Sequence, residues 1–211
     1  KVMKTYDGGL SWISQSAGTG TFTDLVALSS SSALMMNTSH EIWRTVNGTD
    51  WSLYATNAAL SGAAAFDALS TRTLFIGDTN EIAYSTNSGA TWANGTGSFT
   101  YVADIDMYNA TQGLLVGGSG GVFQTTDGAH SWTAVSAPQG YSGIFYYVWA
   151  YSGIANGWAT GTGGVFRYDA TAPGTASVFA VTTAATVNTP TFGWDAATDA
   201  QTSVASYEIA M

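Results

Sequence analysis

Asp67 and Asp106 occupy the same place in two successive copies of a short apolar phrase, Phe66-Asp67-Ala68-Leu69 and Ile105-Asp106-Met107-Tyr108, and Asp104 lies two residues before the second. Two carboxylates across a cleft can break a glycosidic bond, one as acid and the other as base or nucleophile, if burial drives their pKa values apart. The competing reading is structural, because a carboxylate on an inner strand readily accepts hydrogen bonds from backbone amides of a neighbouring element. Spacing leaves both readings open. No catalytic residue is therefore assigned outright, and Asp67 and Asp106 stand as the pair that an alternative, hydrolytic reading would use.

Other residues with chemical potential are more easily placed. Three arginines gripping a substrate carboxylate would need Arg44, Arg72 and Arg167, the only arginines present, to converge, yet they fall on aligned third strands and in a first-to-second-strand turn. The glycine runs at 117–121 and 161–164 precede no helix and no phosphate-contacting lysine, so they read as hairpin turns. His40 and His130 lie in turns without a second ligand at metal spacing, and neither a metal nor a cofactor is expected. Asp195 and Asp199 form one short acidic pair that could hold calcium at a junction. The dense aromatics Tyr141, Tyr146, Tyr147, Trp149, Tyr151 and Trp158 suit either sugar stacking or packing in a core. Asn37, Asn47, Asn94 and Asn109 open glycosylation sequons, which a chain this rich in Ser and Thr generates by chance.

The elements that must position these residues announce themselves by repetition. A phrase of Ser/Thr, Asp/Asn, Gly and Trp occurs four times, around Asp7, Asn47, Asn87 and Asp127, and ends each time in a tryptophan: Trp12, Trp51, Trp92 and Trp132, spaced 39, 41 and 40 residues apart. Such a period marks stacked or radial supersecondary units, none able to bury its own apolar face. Between successive phrases, and again after the fourth, run a near-continuous apolar strand, a Ser or Asn turn (Ser29, Ser70, Asn109, Ser152), and two strands around a Gly/Asn/Ser turn. Four antiparallel strands per repeat without helical periodicity predict a β-propeller. Its innermost strands, covered on both faces, should be the most apolar. Within the phrase, Asp or Asn should accept hydrogen bonds from turn amides while Gly supplies positive φ, and the tryptophan should pack between blades.

Residues 5–12 meet in full the pattern Ser/Thr, any, Asp, any, Gly, any, Ser/Thr, Trp, and the chain so far resembles the Asp-box or BNR repeat family. The departures are a box one residue short at 45–51, Asn87 in place of Asp at 85–92, and Gly128 one position early at 125–132. The resemblance implies propeller hairpins over roughly residues 1–170 and assigns no catalytic residue. Members include sialidases, xyloglucan-cleaving hydrolases, sortilin-type receptors and photosystem assembly factors, so the motif carries fold rather than activity.

A fifth phrase, due near residue 172, is replaced by Asp169-Ala170-Thr171-Ala172-Pro173-Gly174. We therefore expect an all-β chain with three parts: an Asp-box propeller over 1–170, in which four to five blades are represented, a linker over 171–177, and over 178–211 the start of a module resembling fibronectin type III or Ig-like β-sandwiches. Strands are expected at 178–181, 191–194 and 204–209. A full sandwich needs about 100 residues, so this module reads as truncated, and the first repeat reads as cut at Lys1. The chain is expected to be a piece of a longer modular protein whose export signal, if any, lies elsewhere. In an alternative arithmetic, the N-terminal half-blade completes the three strands before the linker and closes a four-bladed ring.

Composition narrows the function classes. Charged residues are 9% of the chain, and five Lys and Arg against fourteen Asp and Glu leave a net charge of -9, with no basic cluster for nucleic acid or anionic lipid. Absence of cysteine removes disulfides, thiolate metal sites and cysteine nucleophiles. The apolar stretch 143–159 is too interrupted to insert in a membrane. The expected protein is a non-enzymatic, extracellular or cell-surface module of bacterial or archaeal type. It would present propeller faces to a glycan or an extracellular protein, with self-assembly through neighbouring modules a further option. The alternatives are a glycoside hydrolase and a protein-binding assembly factor or receptor.

Overall fold

The computed structural model describes residues 1–57, 60, 62, 64–135, 141–151 and 153–169, and beyond them the backbone of 179–181 and 192–194. The chain divides into two units, Lys1–Tyr168 and Asp169–Met211. In the second, Phe179–Val181 pairs antiparallel with Phe192–Trp194. The expected strand at 204–209, the linker 171–177, and Asp195 and Asp199 lie outside the described residues.

The first unit is a β-propeller. A hairpin of β1 (Val2–Lys4) and β2 (Ile13–Gln15) precedes three four-stranded antiparallel blades. Blade 1 comprises β3 (Phe22–Ala27), β4 (Ala33–Asn37), β5 (Glu41–Thr45) and β6 (Trp51–Thr56). Blade 2 comprises β7 (Ala65–Ala68), β8 (Leu74–Gly77), β9 (Ile82–Ser85) and β10 (Ala93–Gly95). Blade 3 comprises β11 (Val102–Met107), β12 (Gly113–Gly117), β13 (Val122–Thr125) and β14 (Thr133–Val135). Blade 4 has three strands, β15 (Phe145–Ala150), β16 (Asn156–Gly161) and β17 (Gly164–Asp169). The first strands touch in chain order, β3 on β7, β7 on β11 and β11 on β15. The β1–β2 pair forms a sheet of its own and does not join β17, so the four-bladed closure weighed above is not formed.

Turn chemistry sets the hairpins. Ser29 Oγ accepts from the amides of Ser31 and Ser32, Ser70 Oγ from those of Arg72 and Thr73, and Asn109 Oδ1 from those of Thr111 and Gln112. These side chains stand in for a backbone carbonyl and fix the bend between first and second strands.

The core consists of the seams between blades. Leu34, Met36 and Ile42 of blade 1 pack with Phe66, Ala68, Leu74, Ile76 and Ala83 of blade 2. Phe75 and Ile82 pack with Val102, Ile105, Met107 and Leu115, and Leu114, Val116 and Val122 pack with Phe145, Val148, Ala150 and Ala159. Burial is deepest one strand further out than expected: β8 and β12 are buried at every position, whereas β3 alternates and β11 has half-buried positions. The second strand has a blade against each face. The first has one face available for polar groups, and the carboxylates sit there.

At the outer rim, backbones of neighbouring blades meet directly. The Thr96 amide donates to the His130 carbonyl at 2.9 Å and the Trp132 amide to the Thr96 carbonyl at 2.8 Å. A Cβ on Gly95 would fall on the Ala129 carbonyl oxygen. Gly95→Ala is therefore expected to cost about 1–3 kcal/mol through overpacking of this seam, read as a lower midpoint in urea unfolding with an unchanged slope.

Candidate functional site

The four boxes are built alike. In the first, Asp7 Oδ1 accepts from the Ser11 amide at 2.9 Å and the Thr5 hydroxyl at 2.8 Å, while Ser11 Oγ donates to Oδ2 at 2.5 Å. Asp127 repeats this with Ser131 and Thr125. Asn87 Oδ1 accepts from the Thr91 amide and the Ser85 hydroxyl, and Asn47 Oδ1 from the amides of Thr49 and Asp50. The hydroxyl of the box's first residue in turn accepts an amide from the bend: Gly9, Gly48, Gly89 or Ala129. The Ser11 hydroxyl and amide hold the Asp7 carboxyl down to about 2, and the Ser131 hydroxyl likewise lowers Asp127.

The tryptophans that close the boxes differ by environment. Trp132 is buried in the seam of blades 2 and 3, Trp92 packs in that of blades 1 and 2, and Trp51 Nε1 donates to Gln15 Oε1 of β2 at 2.9 Å. Trp12, on the β1–β2 hairpin, is exposed.

Nearer the centre, four carboxylates of the first strands face the following blade. Asp24 Oδ2 accepts from the Phe66 amide at 3.3 Å, Asp67 Oδ2 from the Met107 amide at 2.7 Å, Asp104 Oδ2 from the Val148 amide at 2.8 Å, and Asp106 Oδ2 from the Ala150 amide. Asp24, Asp67 and Asp104 each use Oδ1 for the amide of the next residue in their own strand. The pattern is periodic. Asp24 and Asp104 hold one position of the repeat and reach equivalent amides, those of Phe66 and Val148; Asp67 and Asp106 hold the position two residues on and reach Met107 and Ala150. Blades 1–2 and 2–3 thus share one such clip each, and blades 3–4 share two.

Burial pushes these carboxyls up, to about 6 at Asp67 and about 7 at Asp104, with Asp24 and Asp106 moving the same way. The amide hydrogen bonds oppose this, while Asp106 and Asp24 reinforce it electrostatically at Asp67 and Asp104. A carboxyl near 6–7 is in the range of a general acid. The geometry turns the oxygens of Asp67 to amides on both sides, however, where a glycosidase needs one turned to the leaving group.

Asp24 was not singled out from sequence. The signal was available, since Phe22-Thr23-Asp24-Leu25 and Val102-Ala103-Asp104-Ile105 share apolar, small, Asp, aliphatic order. At the same two positions blade 4 carries Tyr147 and Trp149, both exposed. The remaining candidates do not converge. Arg44 lies over the Tyr54 ring in blade 1, Arg72 lies between β7 and β8, and Arg167 is on β17. His130 Nδ1 is 2.6 Å from the Asp127 carbonyl oxygen beside Tyr84, His40 sits in the β4–β5 turn, and among the described residues no three His, Cys, Asp or Glu could hold a metal. Of the sequon asparagines, Asn37 is buried, its Nδ2 donating to Thr19 O and Glu41 Oε2. Tyr141 packs inward on Phe145 and Phe166.

Sheets of four antiparallel strands packed around a common centre define the class: the chain is a β-propeller protein. Similar folds occur in an ancestral GH74 enzyme (TM-score 0.57, 18% identity, 71% of this chain and 23% of that one) and in the computationally designed protein Ika4 (TM-score 0.56, 10% identity, 74% and 95%). The designed protein Ika8 is similar as well (TM-score 0.54, 13% identity, 71% and 46%). The chain thus spans less than a quarter of the length of the GH74 enzyme, and identities this low speak to fold alone. No protein-family model matches the chain, and no curated protein matches it significantly. Among the described residues no helix is long and apolar enough to cross a membrane.

Proposed function

We propose that this propeller is a non-catalytic interaction module, working outside the cell or at its surface, in which the central carboxylates tie blades together and the faces meet an extracellular protein or glycan. The observation that carries the reading is the engagement of all four first-strand carboxylates with amides of the following blade. A carboxylate so held is oriented along the seam, and its raised pKa follows from burial in that position without any need for acid–base chemistry. The low charge of the surface and the rigid stacking of blades suit recognition by shape. The boxes supply rigidity at the rim.

The hydrolytic alternative makes a separable prediction. Asp67→Asn and Asp106→Asn keep an acceptor for the Met107 and Ala150 amides while removing any acid or base. Both variants are expected to fold like the parent, and parent and variants alike are expected to release no sugar from a panel of β-glucan, xyloglucan and sialylated oligosaccharides. Turnover by the parent that either substitution reduces by about a hundredfold or more would overturn the reading and assign the pair to catalysis.

A further inference from the structure

Asn37, Asn47, Asn94 and Asn109 all open Asn-X-Ser/Thr sequons, and the fold treats one of them differently from the rest. A glycan is joined through Nδ2, so an acceptor compatible with folding must leave that nitrogen outside the hydrogen-bond network, with open space beyond it. Asn37 fails on both counts. It is buried, its Nδ2 donates to the Thr19 carbonyl at 2.9 Å and to Glu41 Oε2 at 2.8 Å, and a Cβ on Gly20 would already stand 3.4 Å from that nitrogen. Asn47 and Asn109 cap turns. Asn47 Oδ1 accepts from the amides of Thr49 and Asp50 and from the Thr49 hydroxyl, while Nδ2 donates to Asp50 Oδ2 at 2.7 Å. Asn109 Oδ1 accepts in the same way from Thr111 and Gln112, and its Nδ2 donates to Gln112 Oε1 at 3.2 Å. In both, the hydroxyl of the sequon is bound to the asparagine's own oxygen and the side-chain amide is held at both ends, so a sugar on Nδ2 would compete with the turn.

Asn94 has no such role. It lies on β10, the outermost strand of blade 2, its side chain is exposed, and among the described residues that side chain makes no hydrogen bond. Thr96 completes the sequon, and its backbone is fixed to blade 3 by the amide bond to the His130 carbonyl at 2.9 Å and by the Trp132 amide on its own carbonyl at 2.8 Å. The segment is therefore held by main-chain contacts of the rim. It needs nothing from the asparagine side chain.

We propose that Asn94 is the N-glycosylation site of this chain, an acceptor for an oligosaccharide delivered on a polyprenyl diphosphate carrier during export. In the transfer Nδ2 forms a bond to C1 of the first sugar and gives up one proton, while the bond from C1 to the carrier breaks and the diphosphate leaves with its electron pair. Chance can place sequons in a chain this rich in Ser and Thr, but the fold decides which of them tolerates a sugar. The modification also suits its place. An edge strand offers backbone groups to other chains, and with only 9% of residues charged this chain has few side chains to blunt that edge. A hydrated glycan on β10 does so. From the reading above the proposal takes only that the chain is exported.

Expression of the 211-residue chain behind a signal peptide in a eukaryotic secretory host tests this, with peptide-N-glycosidase in heavy-oxygen water marking each occupied asparagine for mass spectrometry. Sugar is expected on Asn94, with at most traces on Asn37, Asn47 and Asn109. Asn94→Gln and Thr96→Ala are each expected to lose the glycan mass shift and Thr96→Ser to keep it, circular dichroism verifying that parent and variants fold alike. An unmodified Asn94 in the secreted, folded protein overturns the proposal. So does occupancy of Asn47 or Asn109 equal to that of Asn94, or a glycan that survives both Asn94→Gln and Thr96→Ala. The host supplies export and donor, so such a failure counts against Asn94 itself, whereas the export reading fails separately, if fractionation of the cells that naturally make the protein finds it only inside them.

Discussion

Replacing Asp104 and Asp106 together by alanine is expected to destabilise the chain by about 2–6 kcal/mol, since each change leaves a seam amide without its acceptor at about 1–3 kcal/mol. Val148 and Ala150, whose amides they serve, are both buried against blade 3. Among the described residues blade 4 has no other carboxylate clip to the propeller, so its attachment would then rest on apolar contacts with Leu114, Val116 and Val122 and on the Gly120 amide donating to the Gly143 carbonyl. The expected readout is urea unfolding that loses its single transition, with early protease cleavage near residues 141–151. The double asparagine variant keeps one acceptor oxygen per side chain for the seam amides and should be more stable than the double alanine variant. If alanine and asparagine variants behave alike, the carboxylates are not acting through those hydrogen bonds.

The second large effect is an inverted dependence on pH. Asp67 and Asp104 have carboxyls raised from 3.8 to about 6 and about 7, so the folded chain binds protons that the unfolded chain has released. Stability from this source is full below about pH 4 and is lost as pH rises through about 6–7. The boxes act oppositely, because the lowered carboxyls of Asp7 and Asp127 support the fold above about pH 4 and weaken it only in stronger acid, near pH 2 for Asp7. The optimum should therefore lie near pH 4–5. A tenfold change in proton affinity is worth about 1.4 kcal/mol, but both groups are only half-buried and solvent screens them, leaving roughly 1–3 kcal/mol in total. For a chain of this size that is a fall in Tm of roughly 3–10 °C between pH 5 and pH 8. Thermal unfolding of the parent beside the Asp67→Asn, Asp104→Asn double variant checks it: the variant should lose most of the slope. A parent more stable at pH 8 than at pH 5 contradicts the assignment.

Much of the fold is legible in the sequence because local chemistry repeats. Trp12, Trp51, Trp92 and Trp132 mark a period, and Ser29, Ser70 and Asn109 form the bends that their side chains are suited to cap. The equivalence of Asp67 and Asp106 is legible in the same way. Their partners are not, since Met107 and Ala150 stand 40 and 44 residues away and an amide is common to every position. The equivalence of Asp24 with Asp104 is harder to read, because their neighbours match only in class. The depth of burial was displaced by one strand for a related reason: a run such as Leu25-Val26-Ala27-Leu28 looks as apolar as Leu34-Met35-Met36, and only the stacking of blades decides which has a neighbour on each face. The aromatics of blade 4 could be read from sequence as core or as platform, and only the fold separates the inward Tyr141 from the exposed Tyr147, Trp149 and Trp158.

The central claim, that first-strand carboxylates hold one blade to the next, is tested most directly by amide hydrogen exchange read by NMR. In Asp67→Ala the Met107 amide should lose protection, while Phe66, Val148 and Ala150 keep theirs; Asp104→Ala should expose Val148 in the same selective way. Asparagine at either position, its one acceptor oxygen on the seam amide, should restore part of the protection. Unchanged protection of Met107 and Val148 in the alanine variants would contradict the account.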